Sequence, residues 1–249
     1  MLVGALSDKG KMRITNEDAY SLMEKDKVYI VADGVGGGNT GEIASRVAVE
    51  QIEKYISDNS ISSVQGKYRV VRYFQECIEN ANKEIVSIAR THVENSGMAT
   101  TLIIVYNVGN RVFICNVGDS RVYLFRNHVL EQLTEDHTYV NSLLKAGLIT
   151  EEEALVDIRK NVITKALGAD ETVQPDYYQL KIEEGDVLLL CTDGLYNELR
   201  EREISEIIEE NDDMQDVCNL LVNTANDNGG NDNITVVCIK ATEEDINEH

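Results

Sequence analysis

Between residues 41 and 90 two long stretches of helical period stand back to back, with no strand between them. In the first, Ala44, Val47, Ala48, Ile52, Tyr55 and Ile56 recur at intervals of three and four, and Thr40 is placed to cap the helix. A polar linker near 57–66 leads to the second, about Tyr68 to Arg90. There Val71, Phe74, Ile78, Ala81, Ile85 and Ile88 share one face. A short apolar run, 28–32 (VYIVA), precedes the pair and reads as a buried strand. From Thr100 the period changes. The segments TTLIIVY, RVFICNV, RVYLFR and VLEQL are short and β-rich, parted by turn-forming residues at Asn107–Asn110, Gly118-Asp119 and Arg126–His128. They predict an antiparallel meander. DVLLLCT (186–192) is another buried strand, helices are expected near 201–210 and 213–226, and NITVVCIK is a strong last strand. Residues 138–160 carry two short helix-like pieces without a strong apolar face. Helices that do not alternate with strands disfavour a doubly wound parallel sheet. They favour packed antiparallel sheets covered by helices.

The same order decides the meaning of a G-x-G-x-x-G, Gly36 to Gly41, that follows the first strand. A dinucleotide-binding unit needs a second parallel strand after its first helix, ending in an acid about 20 residues past the glycines. Here a second helix occupies that place. A Walker A loop needs Lys and then Ser or Thr after the last glycine, and this chain has Gly41-Glu42. Both nucleotide readings fail on context.

With 249 residues, 43% of them hydrophobic, and a single proline, one large domain with a sizeable core is expected. The first residues lack a basic start followed by an apolar core, so no signal peptide is expected. No apolar run approaches the length of a membrane span. The five dispersed cysteines, Cys77, Cys115, Cys191, Cys218 and Cys238, form no C-x-x-C pair and read as buried thiols in a reducing cytosol. A net charge of −21 opposes nucleic-acid backbones and anionic membrane surfaces. It reflects either a solvated acidic surface or carboxylates gathered around cations.

The positions of the acids bear on that choice. YIVA is followed by Asp33-Gly34, LLLCT by Asp193-Gly194 and FICNVG by Asp119-Ser120, while Asp232 precedes NITVVCI. RITNEDAY places Arg13, Glu17 and Asp18 within six residues. Any single Asp-Gly after a strand is an ordinary turn. Several carboxylates held at the ends of buried strands are another matter, because gathering them is costly unless cations neutralise them. Hard cations with oxygen ligands, Mg²⁺ or Mn²⁺, are the natural partners.

In this order, RITNEDAY, VADGVGGGNTGEIAS, MATTLIIV, CNVGDSRVYLFR, LTEDHTYV, NVITKALG, LLLCTDGLYNEL and GGNDNITVV resemble the type 2C, metal-dependent Ser/Thr protein phosphatases in their compact bacterial form. The matching segments run from about residue 8 to 238. The resemblance implies an α+β fold of four layers, αββα, in which a central antiparallel β-sandwich is flanked by helix pairs. It implies one catalytic domain over 1–241, with a flap insert at about 138–160 and a short acidic tail at 242–249. Two Mn²⁺ or Mg²⁺ ions would lie at one end of the sandwich, with a third, weaker ion beside them. Asp33 would bridge the two ions and the Gly34 carbonyl would bind one of them. Asp193 and Asp232 would complete the other ion's protein ligands. Glu17 and Asp18 would contact the cluster directly or through water, Asp119 would help Asp193 hold the third ion, and Arg13 would grip the substrate phosphate.

The chemistry suits these residue types. Phosphate-monoester hydrolysis has a very large uncatalysed barrier. Two divalent ions about 4 Å apart can make a water nucleophilic and offset charge during in-line attack. A planar guanidinium can hold two phosphate oxygens. The implied activity is hydrolysis of phosphoserine and phosphothreonine in proteins, by a cytoplasmic monomer opposing a Ser/Thr kinase, with no nucleic-acid or membrane partner. The alternatives are a non-catalytic regulatory protein of the same fold, which loss of a metal aspartate would signal, and a nucleotide-binding enzyme. Two positions depart from the family. Val35 stands where some members carry a histidine proposed as leaving-group acid, and Gly38 stands where bacterial relatives often have histidine. His137 or a water could supply that proton, although the acidic turn before His137 favours a structural role.

Overall fold

The computed structural model describes every residue except 38–39, 92 and 248–249. The Gly38 position and the last two residues of the expected acidic tail therefore lie outside the described residues. The strands are β1 (Leu2–Asp8), β2 (Asp18–Met23), β3 (Val28–Val35), β4 (Ala99–Thr100), β5 (Leu102–Val108), β6 (Arg111–Val117), β7 (Arg121–Arg126), β8 (Val129–Gln132), β9 (Asp176–Lys181), β10 (Val187–Cys191) and β11 (Ile234–Lys240). The α-helices are α1 (Thr40–Asp58), α2 (Lys67–Thr91), α3 (Tyr139–Lys145), α4 (Glu151–Val156), α5 (Asp193–Tyr196), α6 (Glu201–Glu210), α7 (Met214–Asn228) and α8 (Glu243–Asn247).

Two antiparallel sheets form the centre. One has the order β1-β11-β10-β7-β8; the other runs β2-β3-β5-β6-β9, with β4 also paired to β3. Three apolar layers hold the stack together. Ala48, Ile52, Phe74 and Ile78 of α1 and α2 pack on Ile30, Ile104 and Cys115 of the second sheet. Val31, Ile103, Val105 and Ile114 meet Val122, Leu190, Val237 and Ile239 between the sheets. Leu189, Cys191 and Cys238 pack under Ile204, Val217 and Leu221 of α6 and α7. This is the expected αββα arrangement. It explains why the central strands are continuously apolar: successive residues of β5 face a helix layer and the opposite sheet in turn. All five cysteines are buried and free.

The structure differs from the sequence reading in four places. The expected meander is divided, because the β5–β6 hairpin lies in one sheet and the β7–β8 hairpin in the other. Gly118 breaks the run between them with a φ of +107°, and a Cβ there would collide with Thr101. The first apolar strand extends beyond residue 32, so that Asp33 and Gly34 lie inside β3. The strands β1, β2 and β9 carried little sequence signal. Each is a sheet edge, partly exposed along most of its length, so its pattern is diluted by polar residues. In the segment expected as an acidic tail, Glu243–Asn247 form a short helix.

Candidate active site

The ladder position that opens β2 places Asp18 directly opposite Asp33 of β3. Two adjacent carboxylates on one ladder repel each other, so the backbone around them must be firmly held. The Asp33 N–H donates to Thr101 Oγ1 (2.9 Å), and its C=O accepts from the Thr101 N–H (2.9 Å) and the Thr100 hydroxyl (2.9 Å). The neighbouring Gly34 N–H donates to the Glu17 carbonyl (3.1 Å), which also accepts from Ser45 Oγ (2.6 Å). A Cβ at Gly34 would strike the Gly41 carbonyl, so the strand passes within backbone contact of the start of α1. Only glycine permits that approach.

The other sheet supplies Asp193 and Asp232. Asp193 opens α5 just past the end of β10, and Asn197 Nδ2 donates to its Oδ2 (3.0 Å). Asp232 lies two residues before β11, and its Oδ2 accepts from Arg13 Nη2 (2.7 Å). Asp18 joins the two halves: its Oδ2 accepts from Thr192 Oγ1 (3.0 Å) and Thr235 Oγ1 (2.6 Å), hydroxyls borne by the other sheet. Its Oδ1 is buried and has no partner. Asn233, 5% exposed, anchors the segment that carries Arg13 and Glu17. Its Oδ1 accepts from the Glu17 N–H (2.8 Å), while its Nδ2 donates to the carbonyls of Lys9 and Thr15 (both 2.9 Å).

Negative charge accumulates at this end of the sandwich. Burial, and then the charges of Asp18, Asp193, Asp119 and Asp232, hold Asp33 well above the usual carboxylate range. Burial pushes Asp18 to about 7, against the two threonine hydrogen bonds and with Asp193 and Asp232 adding to it. Asp119 rises to about 7 through burial and the charges of Asp193 and Asp136. Asp193 rises to about 6 through burial and Asp232, partly offset by Arg13. Burial raises Glu17 too, opposed by Arg13. The carboxylates singled out from the sequence thus share one electrostatic neighbourhood, with Arg13, half-exposed, at its rim. Among the described residues no three acidic, histidine or cysteine side chains close on one point tightly enough to hold an ion unaided. Hard cations of the Mg²⁺ type keep several waters and take one or two carboxylates, which such spacing suits.

His137 is 7% exposed. Its Nδ1 accepts from the Gly118 N–H (3.0 Å), and its Nε2 lies 3.2 Å from both Asp176 Oδ2 and Lys165 Nζ. Both ring nitrogens thus have partners within the fold. The threonines of CTD and NIT, and Asn233, were not singled out from the sequence. Their only signal was a place within three residues of an aspartate near a strand end.

Comparison with known proteins agrees with this geometry. The protein phosphatase 2C family model matches residues 11–236. The serine/threonine phosphatase stp of Listeria monocytogenes serotype 4b is 38% identical over 239 residues, covering 94% of this chain and 93% of that protein. The crystal structure of the Mycobacterium tuberculosis serine/threonine phosphatase PstP/Ppp superposes with a TM-score of 0.88 at 30% identity, over 98% of this chain and 100% of that one. A PstP catalytic domain in complex with two manganese ions gives 0.83 at 30% identity, over 97% and 98% of the respective chains. The chain belongs to the protein phosphatase 2C family and is a serine/threonine protein phosphatase.

Proposed function

We propose that this phosphatase depends on Mn²⁺ or Mg²⁺, with two ions at the carboxylate end of the sandwich and a third, weaker ion beside them. The observation that carries the reading is the buried, partnerless Oδ1 of Asp18, set opposite Asp33 among carboxylates that burial and mutual repulsion hold above their ordinary range. Such a group is costly without positive charge to offset it. The two manganese ions named for the similar PstP domain point the same way.

In this reading the two core ions would be held by Asp33, shared between them, by the Gly34 carbonyl on one side and by Asp193 and Asp232 on the other. Glu17 and Asp18 would reach the cluster directly or through water, and Asp119 with Asp193 would hold the third ion. Bound there, divalent cations supply charge against the phosphate and lower the pKa of water. Arg13 leaves its ion pair with Asp232 to hold two phosphate oxygens. With Val35 aliphatic and His137 engaged at both nitrogens, solvent protonates the leaving serine or threonine oxygen. The catalytic domain spans 1–241, with 138–160 as a flap beside the cleft and an acidic tail after it. The enzyme works as a cytoplasmic monomer that reverses the action of a Ser/Thr protein kinase on phosphoprotein substrates.

Hydrolysis of a phosphothreonine peptide tests the reading. Strong activity is expected for the wild type with Mn²⁺, and only background with a chelator or with Asp193→Ala. Chelator-insensitive turnover, or a fully active Asp193→Ala, would sink it.

A further inference from the structure

The β6–β7 corner, where the chain changes sheets, carries Asp119 and is tied by one buried histidine. Both backbone polar groups of Gly118 are engaged by His137: the Gly118 N–H donates to His137 Nδ1 (3.0 Å), and the His137 N–H donates to the Gly118 carbonyl (3.0 Å). The ring's other nitrogen is oriented in turn. With Nδ1 accepting, the neutral ring carries its proton on Nε2, which donates to Asp176 Oδ2 (3.2 Å). Lys165 Nζ holds the second oxygen of that carboxylate (3.0 Å). The Thr164 N–H donates to the His137 carbonyl (2.7 Å), so the histidine backbone is fixed as well. Burial, reinforced by Lys165, holds the imidazole below its ordinary pKa, which suits a neutral ring.

The corner has no other freedom to spare. Gly118 has a φ of +107°, and its Cα faces Thr101, whose Oγ1 accepts from the Asp33 N–H and shares a hydrogen bond with Ser120 Oγ (2.8 Å). The Asp119 carbonyl accepts from the Tyr196 hydroxyl (3.0 Å). We infer that His137 is a positioning residue: by bracketing Gly118 through its Nδ1 and its backbone N–H, it sets where the Asp119 carboxylate stands relative to Asp193 and Asp33. Its chemical target is a divalent cation at Asp119, so the inference rests on the proposed role of Asp119. Groups that orient metal ligands typically cost about 10–100-fold in metal affinity when removed.

The ring offers a discriminating test, because Asn presents an acceptor near the position of Nδ1 while Gln presents its polar end near Nε2. Mn²⁺ binding to the full chain is measured by calorimetric titration for wild type and for His137→Asn, His137→Gln, His137→Ala and Asp119→Ala. The weakest Mn²⁺ affinity should fall about 10–100-fold in His137→Gln and His137→Ala. It should stay within a few-fold of wild type in His137→Asn and be lost in Asp119→Ala, while the tighter ions bind as before. If Asp119→Ala loses the weak ion but the Gln and Ala variants bind it normally, the positioning role fails while the Asp119 role stands. It also fails if His137→Asn is as impaired as His137→Ala, or if all ions weaken together with the unfolding temperature. An Asp119→Ala protein that binds every ion normally removes the Asp119 reading and this inference with it.

Discussion

The two halves of the carboxylate end are built by different means. Asp18 and Asp33 are cross-strand partners on the β2–β3 ladder, so their relation is set by backbone register. Asp193 and Asp232 lie on connections of the other sheet, where Asn197, Arg13 and the loop anchor Asn233 hold their surroundings by side-chain hydrogen bonds. One half is as rigid as the sandwich; the other is as rigid as a few polar contacts. The hydroxyls of Thr192 and Thr235 on Asp18 fasten the second half to the first. A change in the ladder half should therefore act on charge alone, and a change in the loop half on geometry first.

The largest effect is expected from Asp33→Asn, which keeps shape and register but removes the charge. Mn²⁺-dependent activity should fall by more than about 100-fold, beyond the range typical of supporting groups. In chelator the same variant should unfold at a higher temperature than wild type, because one repelled charge has gone. Retained activity would break the comparison. The metal-free wild type should next show a pH dependence of defined sign. Asp18 and Asp119 sit at about 7 and Asp193 at about 6, above an unfolded value of about 4. The native state therefore binds the extra protons. The stability these groups contribute is complete below about pH 4 and is lost as pH rises through about 6 to 7. Thermal unfolding in chelator should show the midpoint falling between about pH 4 and 7, and saturating Mn²⁺ should flatten the fall. A midpoint that rises over that range without metal would contradict the charge crowding.

The same division explains what could be read from the chain. Asp33, Asp193 and Asp232 were legible because each lies within two residues of a continuously apolar run, which is a strong local signal. The partners of Asp18 were not, since Thr192 and Thr235 lie 174 and 217 residues away and only the packed sandwich brings them in. The edge strands β1, β2 and β9 were faint because half their surface is wet. Periodicity could not divide the β5–β8 run between two sheets, because a hairpin and a crossing both begin with turn residues such as Gly118. For His137 the acidic turn favoured a structural role over that of a leaving-group acid, but its contact with Gly118, 19 residues away, could not be read from the chain.

A smaller effect, confined to the loop half, is expected from Asn233→Ala. The variant leaves the Glu17 N–H and the carbonyls of Lys9 and Thr15 without their buried partner, at a cost of about 1–3 kcal/mol in stability. Arg13 and Glu17 would then be less well ordered while the β2–β3 ladder is intact. The Michaelis constant for a phosphothreonine peptide should rise several-fold, with kcat less affected. An equal loss in kcat at unchanged KM would place Asn233 with the ladder half instead.

The smallest effect on catalysis itself should come from the proposed flap, the region that contrasts most with the ladder. Helix α4 is stabilised locally by a capping box between Thr150 and Glu153, yet Ala154 is its one buried residue among those described. Leu155, Val156 and Ile158 are 74%, 81% and 98% exposed. Apolar side chains left in water contribute little to folding, so replacing these three by serine should shift stability by no more than about 0.5 kcal/mol each. Turnover of p-nitrophenyl phosphate, which brings no protein surface for the flap to meet, should be unchanged. Relative rates on different phosphoproteins should shift, because an exposed apolar cluster beside a cleft is the kind of surface a protein partner covers. Equal rate ratios for variant and wild type across several phosphoproteins would remove the flap from substrate choice and leave selection to Arg13 and the carboxylate end.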